Sequence, residues 1–339
     1  MMMVFSSISS FVSLIVTLMG VMISMVSLNM LGLWVGVELN FLGAVCFMSG
    51  VSVEESESVM KYFIIQVFGS CFFILGFLMM MNCCFVSVVK FVILLGVLVK
   101  LGVFPFHFWV PSVMSGLSWF GCFIVSVVQK VVPLWVVSNF LLMSKELSVL
   151  ELLASLTCVV GCLGGLGVLS YRVLLGYSSL VHLGFMLILC CVDEKCFLTY
   201  MSFYFLINFC LMFSFWKLSV YSFLDFVKED KVNFLSEVWW SSLYFLSLSG
   251  LPPFSGCVLK VYFVWSCWNL MSLGCMVCVL SSVISLYFYL SVVMSVLIYW
   301  GKSVSVLMKK SSKVSCVLGG LSAFVNLGIG LMMFLLVGL

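Results

Sequence analysis

A chain of 339 residues in which 65% are hydrophobic and 8% charged is not a water-soluble globule, because soluble domains are roughly 45–50% apolar and about 25% charged. With a mean hydropathy of +1.34 too few polar groups remain to cover a surface, so lipid is part of the solvent, and the length gives room for about ten or more spans of ~20 residues. The net charge of +3 is too weak a bias for a nucleic-acid partner, and the basic residues do not cluster with aromatics on one face.

Cutting the apolar runs where charges, Asn and Ser–Gly clusters interrupt them predicts an all-α polytopic membrane protein. The eleven spans are 4–28, 29–50, 59–81, 85–104, 117–143, 148–169, 172–192, 196–220, 237–271, 273–299 and 314–337. The first run lacks a basic start and a clean cleavage site, so it reads as a span and not as a signal peptide. The longest polar loop, 221–236, holds Asp225, Lys228, Glu229, Asp230 and Lys231. Eleven spans put the termini on opposite faces. The N-terminal face carries Lys61, Arg172, Lys228, Lys231, Lys302, Lys309, Lys310 and Lys313, the other Lys90, Lys145 and Lys195. Eight basic residues against three place the N-terminus inside.

The 16 cysteines lie almost wholly inside apolar runs, such as Cys71, Cys83, Cys84, Cys158, Cys162, Cys190 and Cys191. There a thiol behaves as a small hydrophobe. The CxxC pair Cys275–Cys278 has no second pair near it, and tetrahedral zinc needs four ligands. The Gly-rich stretch 161–170 follows an apolar helix and not a strand, so it fails as a dinucleotide loop and suits close helix packing.

The five prolines fall in two neighbourhoods: Pro105, Pro111 and Pro133, then Pro252–Pro253. Gly plus Pro inside an apolar run breaks the backbone ladder, and the bared carbonyls must face protein or water. Interrupted helices in corresponding positions of two halves mark inverted-repeat transporters. The breaks near Pro105 and Pro252–Pro253 lie five spans apart, and an odd offset inverts the second unit. The expected organisation is 1–143 as a first five-helix repeat, 144–300 as a second, inverted one, and 301–339 as a basic loop with a C-terminal helix. Two unrelated proline loops are the alternative.

A charge at mid-bilayer costs a few kcal/mol or more and is usually paired or lines a wet cavity. Glu38 falls in the middle of the second span, Lys100 late in the fourth, Lys130 midway through the fifth and Lys260 after the break in the ninth. Lysines near span ends, such as Lys61, Lys90 and Lys217, suit snorkelling to the interface. Lys130 is too deep for that, and the Glu38 carboxylate is too short. His182 and His107 add groups that titrate near neutral pH; for each, packing is the alternative to a relay role. Glu38 beside Lys100 is an arrangement in which pairing and burial act in opposite directions, so small local changes can move a proton.

Several stretches recur together in one family: WVGVELN at 34–40, ESVMKYFIIQ at 57–66, KLGVFPFHFWVP at 100–111, GLSW at 116–119 and QKVVP at 129–133, then GGLGVLSYRVLLGYSSLVHLGFM at 164–186 and LSLSGLPPFSGCVLK at 246–260. In these the chain resembles the subunit 2 family of mitochondrial NADH:ubiquinone oxidoreductase, respiratory complex I, an antiporter-like group of membrane-arm subunits. The resemblance runs from residue 34 to 260. It implies two inverted five-helix repeats, eleven helices in the animal form, and a proton-translocating role in the mitochondrial inner membrane. The N-terminus would face the matrix and the C-terminus the intermembrane space. By the same resemblance Glu38 is the motif glutamate, Lys100 the lysine of KLG-x-x-PF, Lys130 the lysine of the WQK motif (with Val128 for its Trp), Lys260 the lysine after GLPP, and His182 the motif histidine. Arg172 remains of a family basic pair whose lysine position holds Leu174. The implied relay is Glu38–Lys100 as a switchable pair, Lys130 at its centre, Lys260 toward the exit and His182 as a further member. The implied partners are other complex I membrane-arm subunits and the bilayer, with NADH and ubiquinone bound elsewhere and no cofactor or metal in this chain. A cation/proton antiporter subunit and a non-transporting scaffold are the alternative functions.

Overall fold

The computed structural model describes residues 8–50, 52–82, 86–140, 147–223, 225, 235–252, 254–304 and 326. Pro253, most of the polar loop 221–236, Lys145, Lys309, Lys310, Lys313 and all of the eleventh span except Asn326 lie outside them.

Every element among the described residues is a helix, with one isolated antiparallel bridge between Ser170 and Ser222. α1 (Ile8–Val26) and α2 (Met30–Met48) pack side by side. The buried residues of α1 are its small ones, Ser10, Ser13, Thr17, Gly20 and Ser24, while Phe11, Met19 and Met22 point outward. That is the inverse of a soluble amphipathic helix. Between lipid-bathed helices, close approach of small residues supplies the contact and the large apolar side chains face acyl chains. The hydroxyls of Ser13, Thr17 and Ser24 donate back to carbonyls three residues earlier, so they leave no open polar group at the seam.

α3 (Val53–Met81) begins six residues before the expected span. Its acidic start is the first helical turn: the Ser52 hydroxyl accepts from the Glu55 amide at 3.2 Å, and Glu54 and Glu55 meet the positive end of the helix. α4 (Val86–Leu101) packs on α3 and stops at Gly102, whose φ of +73° a side chain would resist. After a turn containing the cis Phe104–Pro105 bond the chain forms a short helix, α5 (Trp109–Gly116). The next segment, α6 (Trp119–Phe123), continues through a π-helical stretch, Ile124–Val128, into α7 (Gln129–Phe140). Pro133 inside α7 has no N–H, which leaves the Gln129 carbonyl without its usual donor four residues on.

α8 (Leu147–Gly164), α9 (Tyr171–Val192) and α10 (Glu194–Leu218) follow, each long and apolar enough to cross a membrane. The ninth expected span resolves into two helices, α11 (Leu235–Ser249) and α12 (Ser255–Cys267), separated at Gly250 with φ +77°. α13 (Ser272–Val304) closes the described bundle. Among the described residues eight helices meet the length and apolarity of a membrane span, and the two broken segments, α4–α5 and α11–α12, stand beside them. The most enclosed spans are Trp119–Asn139 and Tyr171–Val192, 83% and 89% buried within the bundle. These two carry Lys130 and His182.

Candidate functional site

Glu38 and Lys100 meet. α2 presents the carboxylate and the last turn of α4 the ammonium, and Lys100 Nζ donates to Glu38 Oε1 at 3.0 Å. The lysine side chain is 3% exposed and the glutamate 21%, so the pair is open to its surroundings from the carboxylate side. α3 crosses the lysine stem at Gly69, where a Cβ would lie 2.6 Å from Lys100 Cγ. The broken backbone below is closed by neutral donors. Gln66 Nε2 donates to the Lys100 carbonyl at 3.1 Å and Trp109 Nε1 to the Val99 carbonyl at 3.2 Å.

Lys130 is 3% exposed and enters from α7 toward α9, where its Nζ donates to the Ser179 carbonyl at 2.7 Å. One turn further along α9, His182 Nδ1 lies 2.8 Å from the Tyr200 hydroxyl of α10. The imidazole sits within electrostatic reach of both Lys130 and Lys260. Lys260, on α12, folds back over Gly250 and donates to the Ser249 carbonyl at 2.5 Å, the last residue of α11. Among the described residues neither Lys130 nor Lys260 has a carboxylate within ion-pair distance. The buried Lys130 ammonium and the part-buried Lys260 ammonium each hold a backbone carbonyl instead, a charge-assisted bond that offsets part of the desolvation.

All five sequence-derived residues are thus inside one bundle. Glu38 pairs with Lys100, and His182, bonded to Tyr200, lies one turn along α9 from the Ser179 carbonyl that Lys130 holds. Other expected features find structural duties. His107 packs between the rings of Phe104 and Phe108. Arg172 donates to the Leu117 carbonyl at 2.8 Å and lies over the Tyr221 ring, which ties α9 to the end of α5. Lys217, read from sequence as a snorkelling lysine, pairs with Glu237 at 3.0 Å. Lys61 pairs with Glu57 at 2.7 Å on an exposed face, where such a pair contributes little. The described cysteines are all free thiols, and no group of His, Cys, Asp or Glu with metal-ligand geometry occurs among the described residues.

Neutral polar residues escaped the sequence reading. Asn40, Tyr62, Gln66 and Gln129 are all buried in the same quarter of the bundle as Lys100. The available signal was an amide or phenol in the middle of an apolar run, within stretches already noted for other residues.

Comparison with known proteins agrees with this architecture. The family model for the transmembrane region of NADH:quinone oxidoreductase and Mrp antiporters matches residues 27–285. NADH-ubiquinone oxidoreductase chain 2 of Anopheles gambiae is 33% identical over 293 residues, 84% of each chain. The protein of the same name from Mytilus edulis is 35% identical over 281 residues, 82% of this chain and 83% of that one. A chain of respiratory complex I from Thermus thermophilus superposes with a TM-score of 0.75 at 18% identity, covering 96% of this chain and 78% of that one. A chain of the Mrp complex from Dietzia does so with 0.69 at 17%, covering 83% and 59%. These two structures share the fold. The chain belongs to the NADH:quinone oxidoreductase/Mrp antiporter transmembrane family, and within it to the NADH-ubiquinone oxidoreductase chain 2 proteins.

Proposed function

We propose that this chain is the proton-translocating membrane-arm subunit of respiratory complex I in which Glu38, Lys100, Lys130, His182 and Lys260 form the relay. The subunit itself is a multi-pass inner-membrane protein of NADH:ubiquinone reductase. NADH, flavin, clusters and quinone belong to other subunits in this reading. The membrane is the mitochondrial inner one, with the N-terminus on the matrix side by the distribution of basic residues. Residues 1–143 and 144–300 form two inverted units with 301–339 added. Two helix breaks, each at a glycine of positive φ, support that division.

The observation that carries the relay is the placement of four ionisable groups on the two most enclosed spans and at the two breaks, where hydrocarbon tolerates charge least. The Glu38–Lys100 pair is the switchable element. When Glu38 takes a proton, the ammonium loses its counter-charge and can give up its own proton toward Lys130. When the carboxylate is recharged, the ammonium is drawn back. In this reading His182 passes the proton on between Lys130 and Lys260. It can accept a proton on one ring nitrogen and release one from the other, with Tyr200 fixing which nitrogen faces inward.

Lys130→Met in the assembled complex tests the relay. The expected result is a loss of proton pumping of about 10²-fold or more, the effect of removing a positioned proton-transfer group, with assembly intact. Retention of more than half of the pumping removes Lys130 from the path. Co-purification with NADH dehydrogenase activity separates this reading from a stand-alone antiporter. A scaffold would keep pumping after joint neutralisation of Glu38 and Lys100.

A further inference from the structure

We propose that Tyr62, Gln129 and Asn40 form a hydrogen-bonded latch that, with a one-water cavity beside Lys100, links the Glu38–Lys100 pair to Lys130. The proposal rests on the relay just described and adds the element that joins its first two stations. The three residues come from three helices. Tyr62 of α3 donates its hydroxyl to Gln129 Oε1 at 2.9 Å. Gln129 Nε2 donates to the Asn40 backbone carbonyl at 3.1 Å and to Asn40 Oδ1 at 2.9 Å, both on α2. A backbone carbonyl only accepts, so the Gln129 nitrogen must face it. The Gln129 oxygen must then face Tyr62, and the amide has a single orientation. Tyr62 is fully buried, Asn40 is 2% exposed and Gln129 8%. Three neutral polar groups so placed would be a liability unless mutually satisfied, and a satisfied network is rigid.

The latch touches both stations. Gln129 precedes Lys130 at the junction where the π-helical stretch gives way to α7, and a π turn displaces the following side chains from ordinary α-helical register. Holding the Gln129 amide therefore holds the base of the Lys130 side chain. At the other end Asn40 follows Glu38 by two residues on α2. Lys100, Gln66, Asn40, Gln129 and Pro133 line a cavity of about 10 Å³. That is about the lower limit for a single water, which needs two to four polar partners, and this lining offers them. A water there would lie between Lys100 and Gln129, the residue next to Lys130. In this proposal the latch does not pass the proton on itself; it orients the water that would, so Gln129 and Tyr62 are positioning residues.

The test uses the assembled complex in inner-membrane vesicles, following NADH oxidation and proton uptake or release together in H₂O and D₂O. Gln129→Met keeps the length of the side chain and removes both amide groups. Its pumping rate per assembled complex is expected to fall at least about tenfold, with a solvent isotope effect above wild type, as for a displaced proton-transfer group. Tyr62→Phe removes only the hydroxyl and is expected to give a smaller fall with the isotope effect also raised. The double variant should match Gln129→Met alone, because both act through one amide. A purely structural role would lower the amount of complex and leave rate and isotope effect per complex unchanged. If Gln129→Met fails to assemble, the isotope effect of Tyr62→Phe decides. Wild-type rate and isotope effect in these variants, with Lys130→Met blocked in the same membranes, overturn the latch and leave the relay standing. Normal pumping in Lys130→Met overturns the relay itself.

Discussion

At the first break α4 ends with Leu101 and Gly102 leaves the helix at φ +73°; at the second, α11 ends with Ser249 and Gly250 leaves at φ +77°. Each break bares carbonyls in a setting with little water, and each has a lysine within reach. The solutions differ. At the first, the Leu98 carbonyl accepts from Gly102 and Val103, Val99 from Gly102 and the Trp109 indole, and Lys100 from Gln66. Every donor is neutral, and the Lys100 ammonium is left for Glu38 at 3.0 Å. At the second, the ammonium is itself the cap, since Lys260 donates to the Ser249 carbonyl. A lysine two residues before the glycine sends its side chain away from the break, whereas one ten residues after it, on the returning helix, reaches back over it. The same punctuation thus yields an ion pair in one place and a helix cap in the other, and the two lysines should differ in what their loss does.

The largest effect is expected for Lys100→Met. It leaves Glu38 as a charge without its partner, and removing one member of a buried pair costs about 3–5 kcal/mol. The lower end applies here because the carboxylate side chain is 21% exposed. Glu38→Gln with Lys100→Met should cost less than the two single changes added together, since neither charge is then stranded. Pumping should stay impaired in the double variant. The measurement is a double-mutant cycle on the thermal midpoint of the complex with pumping assayed in parallel. Strictly additive stability losses would dissolve the pair.

The ion pair was legible in the sequence because charge inside an apolar run is conspicuous and costly. Glu38 at mid-span and Lys100 before a glycine–proline break could be singled out without knowing their separation. The breaks were legible for a similar reason, since glycine and proline have few other uses there. The ninth span still reads as one run, because Leu251 and Phe254 keep the hydropathy high across the interruption. α5 was missed because its eight residues, WVPSVMSG, are too few to show a period. The π turn at Ile124–Val128 has no marker in a run of IVSVV. The early start of α3 was hidden by Glu54, Glu55 and Glu57, which look like a loop and act as a helix N-terminus. The neutral latch was the least visible part. Asn, Gln and Tyr in membrane helices have many uses, and only the fold brings residues 40, 62 and 129 together.

A smaller effect is expected for Lys260→Met. The substitution strands no carboxylate, and what it removes is one charge-assisted bond to the Ser249 carbonyl. Such bonds contribute about 1.5–3 kcal/mol. The loss of stability should therefore fall below that of Lys100→Met, while pumping is lost because the exit-side group is gone. A stability loss equal to or greater than that of Lys100→Met would mean that the second break also depends on a charge pair, and the contrast between the breaks would fail.

The smallest effect is expected for Trp109→Phe, and it isolates the neutral cap. Trp109 is 6% exposed; its indole donates to the Val99 carbonyl at 3.2 Å and its ring lies 5.8 Å from that of Tyr62. Phenylalanine keeps a ring in that place and removes the N–H. The Val99 carbonyl still accepts from the Gly102 amide, also at 3.2 Å, so no acceptor is left wholly bare. The expected loss is that of one ordinary hydrogen bond, about 0.5–1.5 kcal/mol, read as a small fall in the thermal midpoint of the complex. Pumping per assembled complex should be close to wild type, because the Lys100 ammonium and its carboxylate do not depend on the indole. The contrast with Lys260→Met is then direct: one cap removed without loss of transport, the other removed together with it. If Trp109→Phe stopped pumping, the first break would be coupled to the charge of Lys100 through its own backbone. The separation of capping from pairing at that break would then be wrong.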